Sequence, residues 1–405
     1  MMKHCTWLHH ELGLGEGADC GQNFPISKDG ERLGEYPGMM QTRSGQEFPL
    51  REAHNLVRDL MTPNPWIYWV DFLFHISLGW AAFLIVLSMP LFSFWQLLAG
   101  GVAMLSFYRA AIFVHELAHL KKGTFGLFRF VWNVTCGIPL LIPSFTYDGV
   151  HNDHHRRDVY GTAGDGEYIP FATLKPIIMV GYVLLSFFLP FFFIVRFLLL
   201  TPLSYFIPPL RQILWERASS LTIDMNYKRA SNAIRNDRHW RIQEFGAFVF
   251  ITAVIISIAL GVLTPYFLVF WYVIAMFIFF INSLRTLSAH AYRNPGDGPM
   301  EFAEQYLDSI NVPGNFITGF WAPVGLRYHA THHLFMSMPY HNLGEAQRRL
   351  VNGLNDNTLY LTTVRTSMWD ALRRIWREAA ANTRRSTASA PAVELDDNVG
   401  RHRNA

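Results

Sequence analysis

Charge is scarce in this chain. Of 405 residues only 16% are Asp, Glu, Lys or Arg, and 34 basic residues nearly balance 31 acidic ones. The basic residues are scattered, which excludes the clustered footprint of a nucleic-acid binder. Cysteine is almost missing: Cys5, Cys20 and Cys136 give neither a disulfide framework nor a C-x-x-C motif. The first fifty residues are polar and hold no apolar core of the kind a secretory signal needs. What abounds instead is hydrophobicity, at 51%, and aromatic side chains, at 15%. That profile predicts an integral membrane protein that crosses several times.

A helix needs about 20 apolar residues to cross about 30 Å of hydrocarbon. Four stretches meet that length: Phe72–Phe92, Phe94–Val114, Phe245–Leu263 and Pro265–Leu284. They pair into two helical hairpins with short uncharged connectors. His75 and Arg109 are the polar intruders; His75 reads as a hydrogen-bonded packing residue and Arg109 as a group paired or snorkelling near the interface. The apolar run 176–207 is different, because Pro190, Arg196 and Pro202 interrupt it. Counted as one crossing, it would put the later histidines on the wrong side of the membrane. The following segment, 208–243, carries Arg211, Arg217, Lys228, Arg229, Arg235, Arg238 and Arg241, a basic excess that marks a cytosolic loop. The run is therefore expected to bend near Pro190 or to lie in the membrane plane. Phe125–Phe145, broken by Arg129, Pro139 and Pro143, is expected not to cross either.

Histidine is where the chemistry gathers. Of 17 histidines, eight lie in three boxes: His115-Glu116-Leu117-Ala118-His119, His151-Asn152-Asp153-His154-His155 and His329-Ala330-Thr331-His332-His333. On a helix, residues three or four apart share a face, so each box aims two or three imidazoles one way. Imidazole is a favoured ligand for iron, copper, zinc and nickel. Eight are too many for one tetrahedral zinc and suit two metals of higher coordination number with positions open to oxygen.

The expected architecture is an all-α membrane protein: four transmembrane helices in two hairpins under a cytosolic helical cap that holds a histidine-rich dimetal site. Residues 1–65 form a polar cytosolic segment, 66–345 the membrane domain, 346–383 amphipathic helices and 384–405 a disordered tail. Both termini and all three boxes are expected in the cytosol. Within 346–383, Trp369, Leu372, Ile375 and Trp376 fall on one helical face, suited to the cap or to the membrane interface. His4, His9 and His10 with Cys5 and Cys20 are too irregularly spaced to read as a second metal site. His341 reads as an ordinary loop residue or a wall of the substrate entrance. Arg156, Arg157, Arg348 and Arg349 are solvated cations or contacts for an acidic head group or donor.

At the boxes the chain resembles the membrane-bound fatty acid desaturase and hydroxylase family, whose pattern is H-x-x-x-H, H-x-x-H-H and a distant H/Q-x-x-H-H. The likeness covers about residues 70–345, including the acidic stretch Gly164-Asp165-Gly166-Glu167 after the second box and Pro339-Tyr340-His341-Asn342-Leu343 after the third. It implies two non-haem irons with O2 as co-substrate, and a ninth ligand, His290, just past the last crossing. The implied ligand set is His115, His119, His151, His154, His155, His290, His329, His332 and His333. Animal acyl-CoA desaturases have Asn four residues before the extra histidine; here that position is Thr286, which leaves a tenth ligand in doubt. Glu116, Asp148, Asp153, Asp165, Glu167 and Asp308 are candidates to orient the imidazoles through their second nitrogens, with about half expected to do so. There is no cytochrome b5-like His-Pro-Gly-Gly segment, so electrons are expected from a separate ferredoxin-, rubredoxin- or cytochrome b5-like donor.

The implied reaction is O2-dependent oxidation of an unactivated CH2 in a lipid acyl chain. A double bond is the first expectation, with hydroxylation or ketolation of a fatty acyl, sphingoid or carotenoid chain as the alternative. A metal transporter or sensor is the rival of a different class. The position of the boxes outside the crossings counts against it, because transport ligands belong near the bilayer midplane.

Overall fold

The computed structural model describes residues 40–41, 47–120, 123–230, 238–296 and 298–389. The histidines and cysteines near the N-terminus lie outside the described residues, as does the chain beyond residue 389. Apart from one antiparallel pairing of Met40–Gln41 with Glu47–Phe48, the regular elements are helical. Ten helices carry the argument. They are α1 (Leu50–Val57), α2 (Pro65–Ser88), α3 (Phe94–His119), α4 (Val150–His154), α5 (Arg238–Ala259), α6 (Tyr266–Leu287), α7 (Phe302–Asp308), α8 (His329–Leu334), α9 (Leu343–Gly353) and α10 (Met368–Ser389). Among the described residues, α2, α3, α5 and α6 are long and apolar enough to cross a membrane.

Local chemistry sets the ends of these spans. Pro65 opens α2, and the Asn64 side chain caps it by accepting from Trp66 N at 3.1 Å. The span therefore starts earlier than its apolar run and takes in Asp71, which is half-buried beside Arg109. Arg109 Nε and Nη2 bond the Asp71 carboxylate at 2.7 and 2.5 Å, and Tyr340 OH adds a third bond at 2.7 Å. Arg109 is thus paired rather than snorkelling. His75 Nδ1 lies 2.8 Å from the Asp71 carbonyl, the packing role expected of it. Ser93 caps α3, and Gln96 folds back to accept from Phe92 N at 2.7 Å and donate to Val86 O at 3.0 Å, which closes the first hairpin. Gly79 lets Phe107 sit where a Cβ would meet the ring at 3.2 Å, so α2 and α3 approach closely. Helix α3 keeps going past its apolar stretch to His119, as the first box requires.

The second pair is looser than a hairpin drawn from sequence. Helix α6 packs chiefly on α3 and on the bent run, and α5 packs on the later part of that run, so the run lies against both. It is bent by 48° between Ile177–Leu185 and Leu189–Ser204, at the residues just before Pro190. It begins and ends at the histidine end of the bundle. At its start, Ala172 N bonds Tyr292 O at 3.2 Å; after its end, Leu221 N bonds Thr146 O at 2.7 Å and Ile223 N bonds Gly166 O at 2.8 Å. The run 176–207 is therefore no net crossing. Segment 125–145 does not cross either: it is the short helix Gly126–Trp132, a π-turn over Asn133–Gly137 and irregular chain.

Arg196, the charge inside the bent run, is buried with its own counter-charge. Its Nη2 bonds Glu244 of α5 at 2.7 Å, Nη1 bonds Thr201 Oγ1 at 2.6 Å and Nε bonds Ala218 O at 2.8 Å. Arg211 reaches the other Glu244 oxygen at 2.6 Å and lies 3.9 Å over the Trp240 ring. The irregular turns of the run keep their backbone bonded within the chain, Ser186 N to Val183 O at 3.2 Å and Phe188 N to Leu185 O at 2.9 Å, as apolar surroundings require. At the far end of the chain, α9 packs on α1, and α10 runs through residue 383 to Ser389. Leu372, Ile375 and Ala379 of α10 face the protein, but Trp369 and Trp376 point outward; the face read from sequence splits.

Removing one partner of a buried ion cluster leaves its opposite charges uncompensated, at a cost of about 3–5 kcal/mol. Glu244→Leu is expected to lower stability by that amount in detergent, whereas Asp158→Asn, whose pair with Arg156 is exposed, stays within about 0.5 kcal/mol. Thermal unfolding of the purified variants checks both.

Candidate metal centre

The three boxes meet at one end of the bundle and interleave. Two groups form in which the candidate donor atoms all lie within 4.8 Å of one another: His115, His119, His151, His155 and His332, and His154, His290, His329 and His333. All nine imidazoles predicted to converge do so, His290 included. The groups adjoin, with the His155 and His333 rings 4.4 Å apart between centroids. The sharing follows from helix geometry. At about 100° per residue, positions i and i+4 differ by about 40°, while i+3 swings to the other side. His151 of α4 and His155, the helical residue that caps it, enter the first group and His154 the second; in α8 the pair His329 and His333 enters the second and His332 the first.

The donor set fits two metal ions. Within the groups the Nε2 atoms face one another: His119 to His151 at 2.8 Å, His151 to His155 at 3.2 Å, His155 to His332 at 3.2 Å, His290 to His329 at 2.9 Å and His329 to His333 at 3.1 Å. Two nitrogens each about 2.1 Å from one ion, at right angles to each other, lie about 3.0 Å apart. Both ring nitrogens of His115 are buried with no hydrogen-bond partner among the described residues. Burial lowers the pKa of His151, His155, His290, His329, His332 and His333, which keeps them neutral as ligands must be. His154 differs: burial presses its pKa down, but the Asp165 and Glu167 carboxylates beside it carry the balance upward.

Of the six carboxylates, two touch an imidazole of the two groups. Asp165 lies 2.9 Å from His154 Nδ1, and Glu167 lies 3.1 Å from His151 Nδ1. Burial raises the pKa of Glu167 to about 7. Asp308 acts through an intermediary: it accepts from Tyr160 OH at 3.3 Å and Tyr168 OH at 3.0 Å, and Tyr160 OH is 2.8 Å from His290 Nδ1. Glu116 is buried next to His115 but accepts from Tyr68 OH at 2.5 Å and comes no nearer that imidazole than 3.7 Å. Asp148 and Asp153 are spent on structure, in an ion pair with Arg129 at 3.1 Å and a bond from Tyr227 OH at 3.0 Å. His341 Nε2 accepts from Asn64 N at 3.1 Å, an ordinary loop contact.

Sequence reasoning passed over the tyrosines. Tyr147 stacks on His151 at 4.7 Å with its hydroxyl 3.0 Å from Nδ1, and Tyr160 and Ser309 share His290 Nδ1. Tyr147 stands one turn before His151, a spacing that is visible in the sequence; Tyr160 and Ser309 reach their imidazole only through the tertiary fold.

Comparison with known proteins agrees with this geometry. The fatty acid desaturase family matches residues 93–365, and the chain belongs to that family. A ceramide hydroxylase from Caulobacter vibrioides (strain NA1000 / CB15N) is 39% identical over 328 residues, covering 81% of this chain and 93% of the relative. No solved structure matches. The chain is a membrane oxidoreductase of the desaturase and hydroxylase type that acts on lipid.

Partners of a ligand's second nitrogen typically govern metal affinity by about 10–100-fold. Asp165→Asn, Glu167→Gln and Tyr160→Phe are each expected to lose metal faster to a chelator by that order. Asp148→Asn and Asp153→Asn are expected to hold it like the parent. Metal content after timed dialysis checks the division.

Proposed function

We propose that this chain hydroxylates the acyl chain of a ceramide-type lipid at a centre of two irons held by His115, His119, His151, His155 and His332 on one side and His154, His290, His329 and His333 on the other. The observation that carries the reading is the likeness to a ceramide hydroxylase along nearly its whole length, joined to nine convergent imidazoles. Hydroxylation was the alternative at the level of sequence. The relative favours it over a double bond, while the family's name alone suits either product.

Two irons held by these nine imidazoles would, with O2, supply an oxidant able to take hydrogen from an unactivated C–H bond, which no side chain can do. One oxygen atom enters the C–H bond and the other leaves as water, with two electrons from a separate donor protein and two protons. The protein's own residues set the stage. Asp165 and Glu167 fix the His154 and His151 rings through Nδ1, and Tyr160, held by Asp308, does the same for His290. Burial of the cluster excludes water. The apolar faces of α2, α3 and α6, which converge beneath the histidines, give an alkyl chain a surface on which to lie. Its polar head then sits at the histidine end, which this reading places in the cytosol with both termini.

Lipids extracted after expression in a ceramide-containing host are expected to gain one oxygen on the acyl moiety. Loss of two hydrogens as the main change would return the reading to desaturation. His290→Ala is expected to abolish the product and His341→Ala to retain it. The orientation has its own check. Lys228 is exposed on the segment bonded to the second box, and Lys228→Cys is expected to resist membrane-impermeant thiol reagents in intact cells. Labelling from outside would invert the topology.

A further inference from the structure

Away from the histidines, a cleft of about 420 Å³ opens between α10 and the chain at Arg365. Arg365, Asp370, Arg373, Arg374, Arg377 and Glu378 line it. Its two carboxylates are already engaged. Glu378 accepts from Arg293 Nη2 and Nε at 2.7 and 2.9 Å, and Asp370 accepts from the Thr366 amide and hydroxyl, each at 3.2 Å. Arg374 comes no nearer to Glu378 than 3.9 Å. Its Nε and Nη2, and the Nε of Arg365, are buried with no hydrogen-bond partner among the described residues. Burial lowers the Arg374 pKa to about 10, so the group remains a cation at neutral pH. Buried guanidinium N–H groups without acceptors are costly, and their planar forks match the oxygens of a phosphate.

A second observation concerns the place of the cleft. Ile375 and Ala379 of α10 are buried against Met179 of the bent run and Leu287 at the end of α6. The helix therefore lies along the histidine end of the membrane helices. Trp369 and Trp376, two turns apart and 60% and 45% exposed, face outward from it. Indoles in such a position settle at the level of lipid head groups, where neighbouring arginines meet phosphate.

We propose that the arginine cleft is a binding site for a phosphate group, separate from the metal centre. The phosphate reaches it either on the head group of an anionic phospholipid or as the free ion. In both cases Arg365 and Arg374 close on its oxygens from the inner wall, and Arg373 and Arg377 from the exposed rim. The site needs neither iron nor turnover, so it stands apart from the proposed reaction.

The test uses the full chain in nanodiscs of three kinds: phosphatidylcholine alone, phosphatidylcholine with phosphatidylglycerol, and phosphatidylcholine with added inorganic phosphate. Native mass spectrometry reads the adducts retained. Arg373→Glu with Arg377→Glu alters two exposed residues that leave the core intact, and Lys175→Glu with Lys228→Glu reverses the same charge at exposed sites elsewhere. Preferential retention of phosphatidylglycerol, falling about tenfold or more in the arginine pair and not in the lysine pair, supports a lipid head group. Retention of inorganic phosphate with the same arginine dependence, and no lipid preference, supports the free ion as the source. Retention no greater than in phosphatidylcholine alone, or losses equal in the two double variants, overturns the proposal. The milder Arg373→Gln with Arg377→Gln is expected to give an intermediate loss, which guards against an effect of misfolding.

Discussion

Neutral imidazoles with Nε2 atoms about 3 Å apart repel one another wherever lone pair meets lone pair, a repulsion that a proton or a metal ion held between them relieves. That repulsion is the constraint to which the rest of the molecule answers. The protein meets it by over-determining the rings. His151 is fixed by Glu167 and stacked under Tyr147, His154 by Asp165, and His290 by Tyr160 and Ser309. Burial keeps six of the rings outside the spans in the neutral form that a metal requires. A looser cradle would let them turn apart.

The membrane helices serve the same end. Helix α3 extends beyond its apolar stretch to carry His115 and His119 on the stalk of the bundle. Helix α6 stops just short of His290. The chain between them returns to one face because the run 176–207 bends instead of crossing, and Glu244 ties that bend to α5 by holding Arg196 and Arg211 together. The loop that follows wraps the second box, with Tyr227 on Asp153 and Arg229 on the carbonyls of Phe145 and Asp148. A charge that looked out of place in an apolar run is what shapes the run.

Much of this was legible in the sequence, and the limits are instructive. Helical spacing gave the convergence of each box. It could not give the interleaving, since which of i, i+3 and i+4 meets which group depends on how α4 and α8 face each other. The likeness to a family located His290, which stands alone in sequence. Carboxylates were harder to sort. Asp165 and Asp148 look alike as neighbours of the second box, yet one meets an imidazole and the other meets Arg129, a partner nineteen residues away. Asp71 escaped notice because its span was read from the first apolar residue rather than from the Asn64–Pro65 cap. Trp369 and Trp376 defied the helical face assigned to them because an indole can be outward in a membrane protein without facing water.

The bent run has a consequence for the bilayer itself. It enters and leaves at the histidine end, with Ile177, Phe188, Phe191, Phe192, Leu199 and Phe206 on its exposed surface. Such a segment displaces lipid from one leaflet only. Four helices fill the opposite leaflet, while four helices and the bent run fill this one. A segment so placed would make the bundle broader at the histidine end, and insertion of such a wedge would favour a membrane that curves towards the opposite face.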